Sequence, residues 1–105
     1  MLKLKSFYKK TMQYKEVYKF TNDWMHLLAS LGVQNKKVET YTLRNIERIE
    51  RSDFNGIKCR IQIPFGLLRE GLIELKPYIE EAFDCVFECG ENVRNNYVSV
   101  EFKFI

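Results

Sequence analysis

The strongest constraint in the sequence is a stripe of apolar residues that recurs at helical spacing between about Tyr14 and Leu31. Offsets of three and four residues place such a stripe on one face of an α-helix. Gly32 follows the last apolar position, where helices commonly end in a left-handed residue. The pattern therefore predicts a long amphipathic helix that ends at Leu31 and buries these side chains: Val17, Phe20, Trp24, Leu27, Leu28 and Leu31.

The size and composition of the chain predict one globular unit. A chain of 105 residues fits one domain and leaves no room for two. Its 46% hydrophobic content, with eight Phe and six Tyr, supplies one continuous core and argues against disorder. We expect a single domain over residues 1–105, with a basic N-terminal arm over about residues 1–13.

Residues 38–54 carry mixed signals. Their β-branched residues favour a strand, whereas a spacing of three favours a helix for these apolar residues: Leu43, Ile46 and Ile49. Asn55-Gly56 is typical of a hairpin turn, and apolar and polar residues alternate over 57–63. We therefore predict that a strand over about 45–52 pairs with a strand over 57–63.

The second half of the chain predicts one more helix and two more strands. Pro64-Phe65-Gly66 indicates a turn, and Pro77 should kink the helix that follows it. Residues 85–89 and 98–104 read as strands on either side of a polar turn. The predicted fold class is α+β, with two helices packed on one face of a small, mostly antiparallel four-stranded sheet in the order α-β-β-α-β-β. The helical stripe consists of Leu68, Leu72, Leu75, Ile79 and Phe83.

The sequence contains no recognisable arrangement of catalytic residues. The only histidine, His26, fits a surface or packing position on the first helix better than a general base, and a single histidine excludes a two-histidine zinc protease site. Cys59, Cys85 and Cys89 fit reduced thiols on strands better than a disulfide framework or a zinc site. No glycine-rich phosphate loop is present. We expect no enzyme activity, no metal and no cofactor.

No apolar run reaches the roughly 20 residues that a transmembrane helix requires, and no apolar segment of the signal-peptide type follows the basic N-terminus. We therefore expect a cytoplasmic location and no membrane segment in this chain.

Positive charge is concentrated in the first third of the chain. Residues 1–37 hold eight lysines and two acids, a net charge of +6, whereas residues 38–105 hold nine basic and twelve acidic residues, a net charge of −3. Such a segment favours an acidic partner such as DNA, but it also fits a solvated helix face. The candidate nucleic-acid-binding residues are Lys9, Lys10, Lys15, Lys19, Lys36 and Lys37.

Two stretches resemble a known family. The stretch from Trp24 to Lys36, with the pattern W…L..LG..NK, resembles the helix and turn that precede the motor in FtsK/SpoIIIE-type DNA translocases of conjugative elements. Ile63-Pro64-Phe65-Gly66-Leu67 resembles the family's strand–P-x-G-L junction. Together with the element order, the resemblance covers roughly residues 17–105.

The resemblance implies a non-catalytic accessory domain that contributes DNA or subunit contacts to a translocase involved in DNA transfer. Its implied partners are double-stranded DNA, further copies of the chain or other DNA-transfer proteins. No ATPase residue carries over, because no Walker motif is present. The alternative is a stand-alone protein-interaction or regulatory module from a mobile genetic element, which associates through an apolar strand edge over 98–104.

Overall fold

The computed structural model describes residues 14–50 and 55–104 of the chain. The predicted α+β class with a four-stranded antiparallel sheet is confirmed: the strand order is β1-β2-β4-β3, and every neighbouring pair is antiparallel. The basic arm predicted over 1–13 lies outside the described residues. The elements are α1 (Tyr14–Ser30), β1 (Thr42–Glu50), β2 (Asn55–Gln62), α2 (Arg69–Glu74), α3 (Lys76–Phe83), β3 (Val86–Cys89) and β4 (Tyr97–Phe104).

Across residues 14–50 and 55–104, none of the helices combines the length and the apolar character that crossing a bilayer requires.

Helix α1 ends at Ser30, one residue before the predicted Leu31, and the predicted glycine caps it. Gly32 adopts a left-handed φ of 68°, a conformation that glycine reaches without steric cost. The Gly32 N–H donates to the Ala29 carbonyl at 3.1 Å, and the Val33 N–H donates to the Leu28 carbonyl at 3.0 Å. This pair of bonds is a Schellman motif, which satisfies carbonyls at the helix end and turns the chain towards β1.

The second predicted helix is two short helices, α2 and α3, separated at Leu75. Pro77 has no N–H to donate to the carbonyl of Ile73, and its ring would crowd that carbonyl in a continuous helix. Proline is well tolerated in the first turn of a helix, and Pro77 occupies that place in α3. The predicted kink is therefore a complete break.

The predicted hairpin turn at Asn55-Gly56 is wrong. Asn55 pairs with Glu50 and Gly56 pairs with Ile49, so both residues lie inside β2. The predicted pairing of 45–52 with 57–63 is corrected to Thr42–Glu50 with Asn55–Gln62.

A two-residue turn of the kind expected at Asn55-Gly56 joins β3 to β4 instead, at Asn95-Asn96. Both residues have positive φ, 51° and 67°, as a type I′ turn requires. Arg94 and Tyr97 exchange backbone hydrogen bonds of 2.9 and 2.8 Å across it. Asparagine tolerates the left-handed region better than most residues, so this pair can replace Asn-Gly.

A bulge explains the helix-like spacing in β1. The register with β2 slips between Arg44 and Glu47, and Asn45 takes a positive φ of 54°. Strict alternation would place Leu43 and Ile46 on opposite faces of the sheet, but the extra residue of a bulge restores both to one face. Both side chains accordingly pack in or against the core.

The core is a single cluster between the helices and one face of the sheet, and Phe102 of β4 lies at its aromatic centre. The Phe102 ring is fully buried, with ring centroids 5.0 Å from Phe20, 5.8 Å from Trp24, 5.7 Å from Phe83 and 5.0 Å from Phe87. Such pairs contribute about 0.5–1.5 kcal/mol each beyond burial of their area. Helices α1 and α3 are thereby joined to the sheet through one strand.

Tyr41, immediately before β1, connects three separate segments. Its carbonyl accepts a hydrogen bond of 2.8 Å from Trp24 Nε1 in α1. Its hydroxyl donates at 2.6 Å to the carbonyl of Leu68, the residue that precedes α2. The hydroxyl also lies over Gly71, where an added Cβ would sit only 2.6 Å from it. Gly71 therefore leaves room for the tyrosine.

We predict that substitutions at Tyr41 and Gly71 are strongly coupled. Gly71→Ala alone should destabilise the fold, because its Cβ displaces the Tyr41 hydroxyl. Tyr41→Phe alone should cost about 1–2 kcal/mol through the lost hydrogen bond. In the Tyr41→Phe background the nearest remaining ring atom is 3.9 Å away. Alanine favours helix over glycine by up to about 1 kcal/mol, so Gly71→Ala should there become neutral or stabilising.

Urea unfolding of the four proteins in the cycle measures this coupling. Tyr78→Phe is the matched control, because the Tyr78 side chain is 54% exposed on α3 and should show no coupling to Gly71→Ala. Simple addition of the two single costs would contradict the proposed clash.

Cys59 of β2 makes stability depend on pH above 9. Burial raises the pKa of this thiol from 9.0 to about 12. The unfolded chain thus releases the proton first, and the thiol's contribution is complete below pH 9 and is lost as the pH rises towards 12. Between pH 8 and pH 10, we expect the wild-type protein to lose about 1.4 kcal/mol more unfolding free energy than Cys59→Ala does. Urea unfolding at both pH values measures this, and equal losses would rule out the shifted thiol.

Candidate functional site

The turn between α1 and β1 is organised by the side chain of Asn35. Its Oδ1 accepts hydrogen bonds of 2.9 Å from the backbone N–H groups of Lys37 and Glu39. The backbone adds a bond of 2.8 Å from the Asn35 N–H to the Glu39 carbonyl. Because one short side chain holds both ends of the turn, Lys36 and Lys37 project from an ordered backbone and are exposed.

A second turn, over Pro64 to Leu67, follows β2. The Leu67 N–H donates to the Pro64 carbonyl at 3.1 Å, and Gly66 at the third position has a φ of 92°. A hydrogen bond from the fourth residue to the first, with a glycine of positive φ at the third position, is typical of a type II turn. Phe65 occupies the second position, and its side chain is 82% exposed.

Asn35 joins the two turns. Its Nδ2 donates 2.9 Å hydrogen bonds to Glu39 Oε1 and to the carbonyl of Phe65, 30 residues further along the chain. The turns meet around a depression of about 490 Å³, and a neighbouring depression of about 550 Å³ shares Lys37 and Phe65 with it. We name the region the Lys36–Phe65 surface and define it by Lys36, Lys37, Phe65, Gly66 and Leu67.

This surface combines two exposed ammonium groups with an exposed aromatic ring. Lysines of this kind contact phosphate groups, whereas an aromatic ring can stack on a base or fill an apolar pocket. The backbone positions of both features are set by hydrogen bonds, so little ordering is needed on binding.

The structure divides the predicted lysine set. Lys36 and Lys37 lie beyond the C-terminal end of α1, while Lys15 and Lys19 lie near its start. A helix of 17 residues is about 25 Å long, so the two pairs do not form one patch. Lys19 also pairs with Asp23 at 2.8 Å. Lys9 and Lys10 fall outside the described residues.

Sequence reasoning missed Phe65 and Asn35 as site residues, although both lie in the stretches that carry the family resemblance. For Phe65 the available signal was an aromatic residue between Pro64 and Gly66, where a turn should expose it. For Asn35 no sequence signal could have indicated a contact with Phe65.

The groups with catalytic potential are dispersed or engaged. His26 is exposed on α1, and the Glu80 carboxylate accepts the Phe87 N–H at 2.9 Å. Burial is the main cause that raises the pKa of the Cys85 thiol, to about 11, and it also raises the pKa of the Cys89 thiol. Both thiols therefore remain protonated and weakly nucleophilic at neutral pH. Within the described ranges, no group of three or more His, Cys, Asp or Glu side chains could hold a metal ion.

The strand edge predicted over 98–104 is not available for association. Strand β4 lies between β2 and β3, so the prediction is corrected: it is an interior strand. The edge strands of the described sheet are β1 and β3. A bulge and charged side chains interrupt β1, and helix side chains bond the β3 backbone at Phe87 and the following Gly90 carbonyl. Both devices discourage edge-to-edge pairing.

The chain matches no protein-family model, and it shows no significant similarity to a curated protein or to a solved structure. The residues and contacts of the chain itself therefore have to carry any functional assignment.

Proposed function

We propose that this chain is a non-catalytic accessory domain of an FtsK/SpoIIIE-like DNA translocase involved in DNA transfer, and that its Lys36–Phe65 surface contacts duplex DNA. One observation carries the proposal. The two stretches that resemble the translocase family, around Asn35 and around Phe65, are far apart in sequence but are joined by a direct hydrogen bond. They therefore build one exposed surface.

Charge supports DNA as the partner. Lys36 and Lys37 are adjacent and exposed, and the first third of the chain has a net charge of +6. Lysines that neutralise phosphates release condensed counterions, which favours binding at low salt and weakens it as salt rises. In a translocase of this type, ATP hydrolysis would belong to a motor domain, and the accessory domain would hold or guide the duplex.

The alternative, a stand-alone protein-interaction module from a mobile element, has less support. Its predicted edge strand lies inside the sheet, and the described edge strands are protected. An apolar surface of a partner protein could also bind Phe65. The two proposed functions therefore differ in whether binding depends on salt and on Lys36 and Lys37.

We predict that Lys36→Gln/Lys37→Gln weakens duplex binding and lowers its salt dependence. Each phosphate contact contributes about 0.9 to the slope of log affinity against log salt, so losing two contacts should reduce the slope by about 2. Fluorescence anisotropy with a labelled duplex, titrated at several salt concentrations, measures both quantities.

Lys15→Gln/Lys19→Gln is the matched control, because it removes the same charge at the other end of α1. We expect it to leave the slope nearly unchanged. A larger effect of this control pair would move the DNA surface to the start of α1. No binding by the wild-type protein at low salt would exclude the DNA contact.

A further inference from the structure

We infer that Phe65 is a wedge that stacks on bases of duplex DNA while Lys36 and Lys37 hold the phosphates beside it. The inference rests on the proposed function and deepens it, because it identifies how the surface would engage the duplex. A lysine pair alone predicts a contact confined to the phosphates. The position of Phe65 predicts a contact that reaches the base stack.

Exposure singles out Phe65. At 82% it is the most exposed large hydrophobic side chain among the described residues, ahead of Val38 at 71% and Leu68 at 66%. The other strongly exposed aromatic side chains, Tyr18 and Tyr78, lie on helices and carry a hydroxyl that water can solvate. Phe65 has no polar atom on its side chain, so its whole exposed ring is available for a non-polar contact.

The backbone of Phe65 is held rigidly. The Leu67 N–H closes the turn on the Pro64 carbonyl at 3.1 Å, and Gly66 supplies the positive φ of 92° that the third position requires. The Asn35 side chain holds the Phe65 carbonyl at 2.9 Å. A side chain presented from a fixed backbone loses less freedom on binding than one on an unanchored loop, which favours insertion between bases.

The lysines are placed to complement such an insertion. Lys36 and Lys37 line the depression beside Phe65, and Lys37 also lines the neighbouring depression. Apolar wedges that enter a base step of the minor groove unstack it and bend the duplex, and basic side chains beside them hold the backbone. At the Lys36–Phe65 surface, Phe65 is the apolar wedge, and Lys36 and Lys37 hold the phosphates of the DNA backbone.

The reporter is a short duplex that contains 2-aminopurine, a base whose fluorescence rises when it is unstacked. Affinity is measured in parallel by anisotropy, with the 105-residue chain and each variant. Because Phe65 is exposed, Phe65→Ala should leave the fold intact, which urea unfolding checks. Phe65→Trp restores an aromatic ring. Tyr78→Ala is the matched control, since it removes an exposed aromatic side chain from α3.

We expect the wild-type protein to raise the 2-aminopurine signal. Phe65→Ala should bind about tenfold more weakly, the size expected for one lost base–aromatic stack, and should leave the signal at its duplex value. Its salt slope should match that of the wild type, because the lysines remain. Phe65→Trp should restore both readouts, and Tyr78→Ala should resemble the wild type.

The outcomes separate this inference from the proposed function. Salt-dependent binding by the wild type that is unchanged in Phe65→Ala, or a 2-aminopurine signal that never rises, overturns the wedge and leaves the DNA contact standing. Absence of wild-type binding overturns both. Loss of self-association in Phe65→Ala, with DNA binding intact, would assign Phe65 to a protein contact and likewise overturn the wedge.

Discussion

The fold depends on the pair of hydrogen bonds that Tyr41 makes, one through its carbonyl and one through its hydroxyl. The carbonyl fixes Trp24 of α1 against the start of β1, and the hydroxyl fixes Leu68 at the start of α2. The bond from Trp24 is buried and the bond to Leu68 is partly buried, so an unsatisfied partner is costly, most of all at the Tyr41 carbonyl. Burial, with the nearby Glu74 and Glu70, raises the pKa of the Tyr41 phenol and keeps it a hydrogen-bond donor.

These bonds also position the Lys36–Phe65 surface. The turn that carries Lys36 lies between Trp24 and Tyr41, and Leu68 directly follows the turn that carries Phe65. Tyr41 therefore anchors one side of each turn to the core, and the Asn35–Phe65 bond joins the two turns on the solvent side. The backbone of this surface is therefore held by hydrogen bonds both in the core and at the solvent side.

Local patterns were enough to predict α1, its glycine end and the alternating strands β2 and β4, because each depends on residues close in sequence. The predictions at Asn55-Gly56 and in β1 failed or stayed ambiguous for a different reason. The pairing between strands decides where a turn forms. It also decides where a bulge places Ile46 on the same face of the sheet as Leu43. The exposed position of Phe65 was readable from Pro64 and Gly66, whereas its contact with Asn35 spans 30 residues and requires the finished fold.

The identity of residue 65 is not dictated by the turn. A type II turn requires a positive φ at its third position, here Gly66, and makes no such demand on its second, which Phe65 occupies. The sixteen apolar side chains of the buried core follow from packing, but Phe65 lies outside that cluster and contributes no buried area to it. The residue is 82% exposed beside Lys36 and Lys37, so the area that its ring buries within the chain is small. The contact with duplex DNA that we propose would bury the ring that the core leaves exposed.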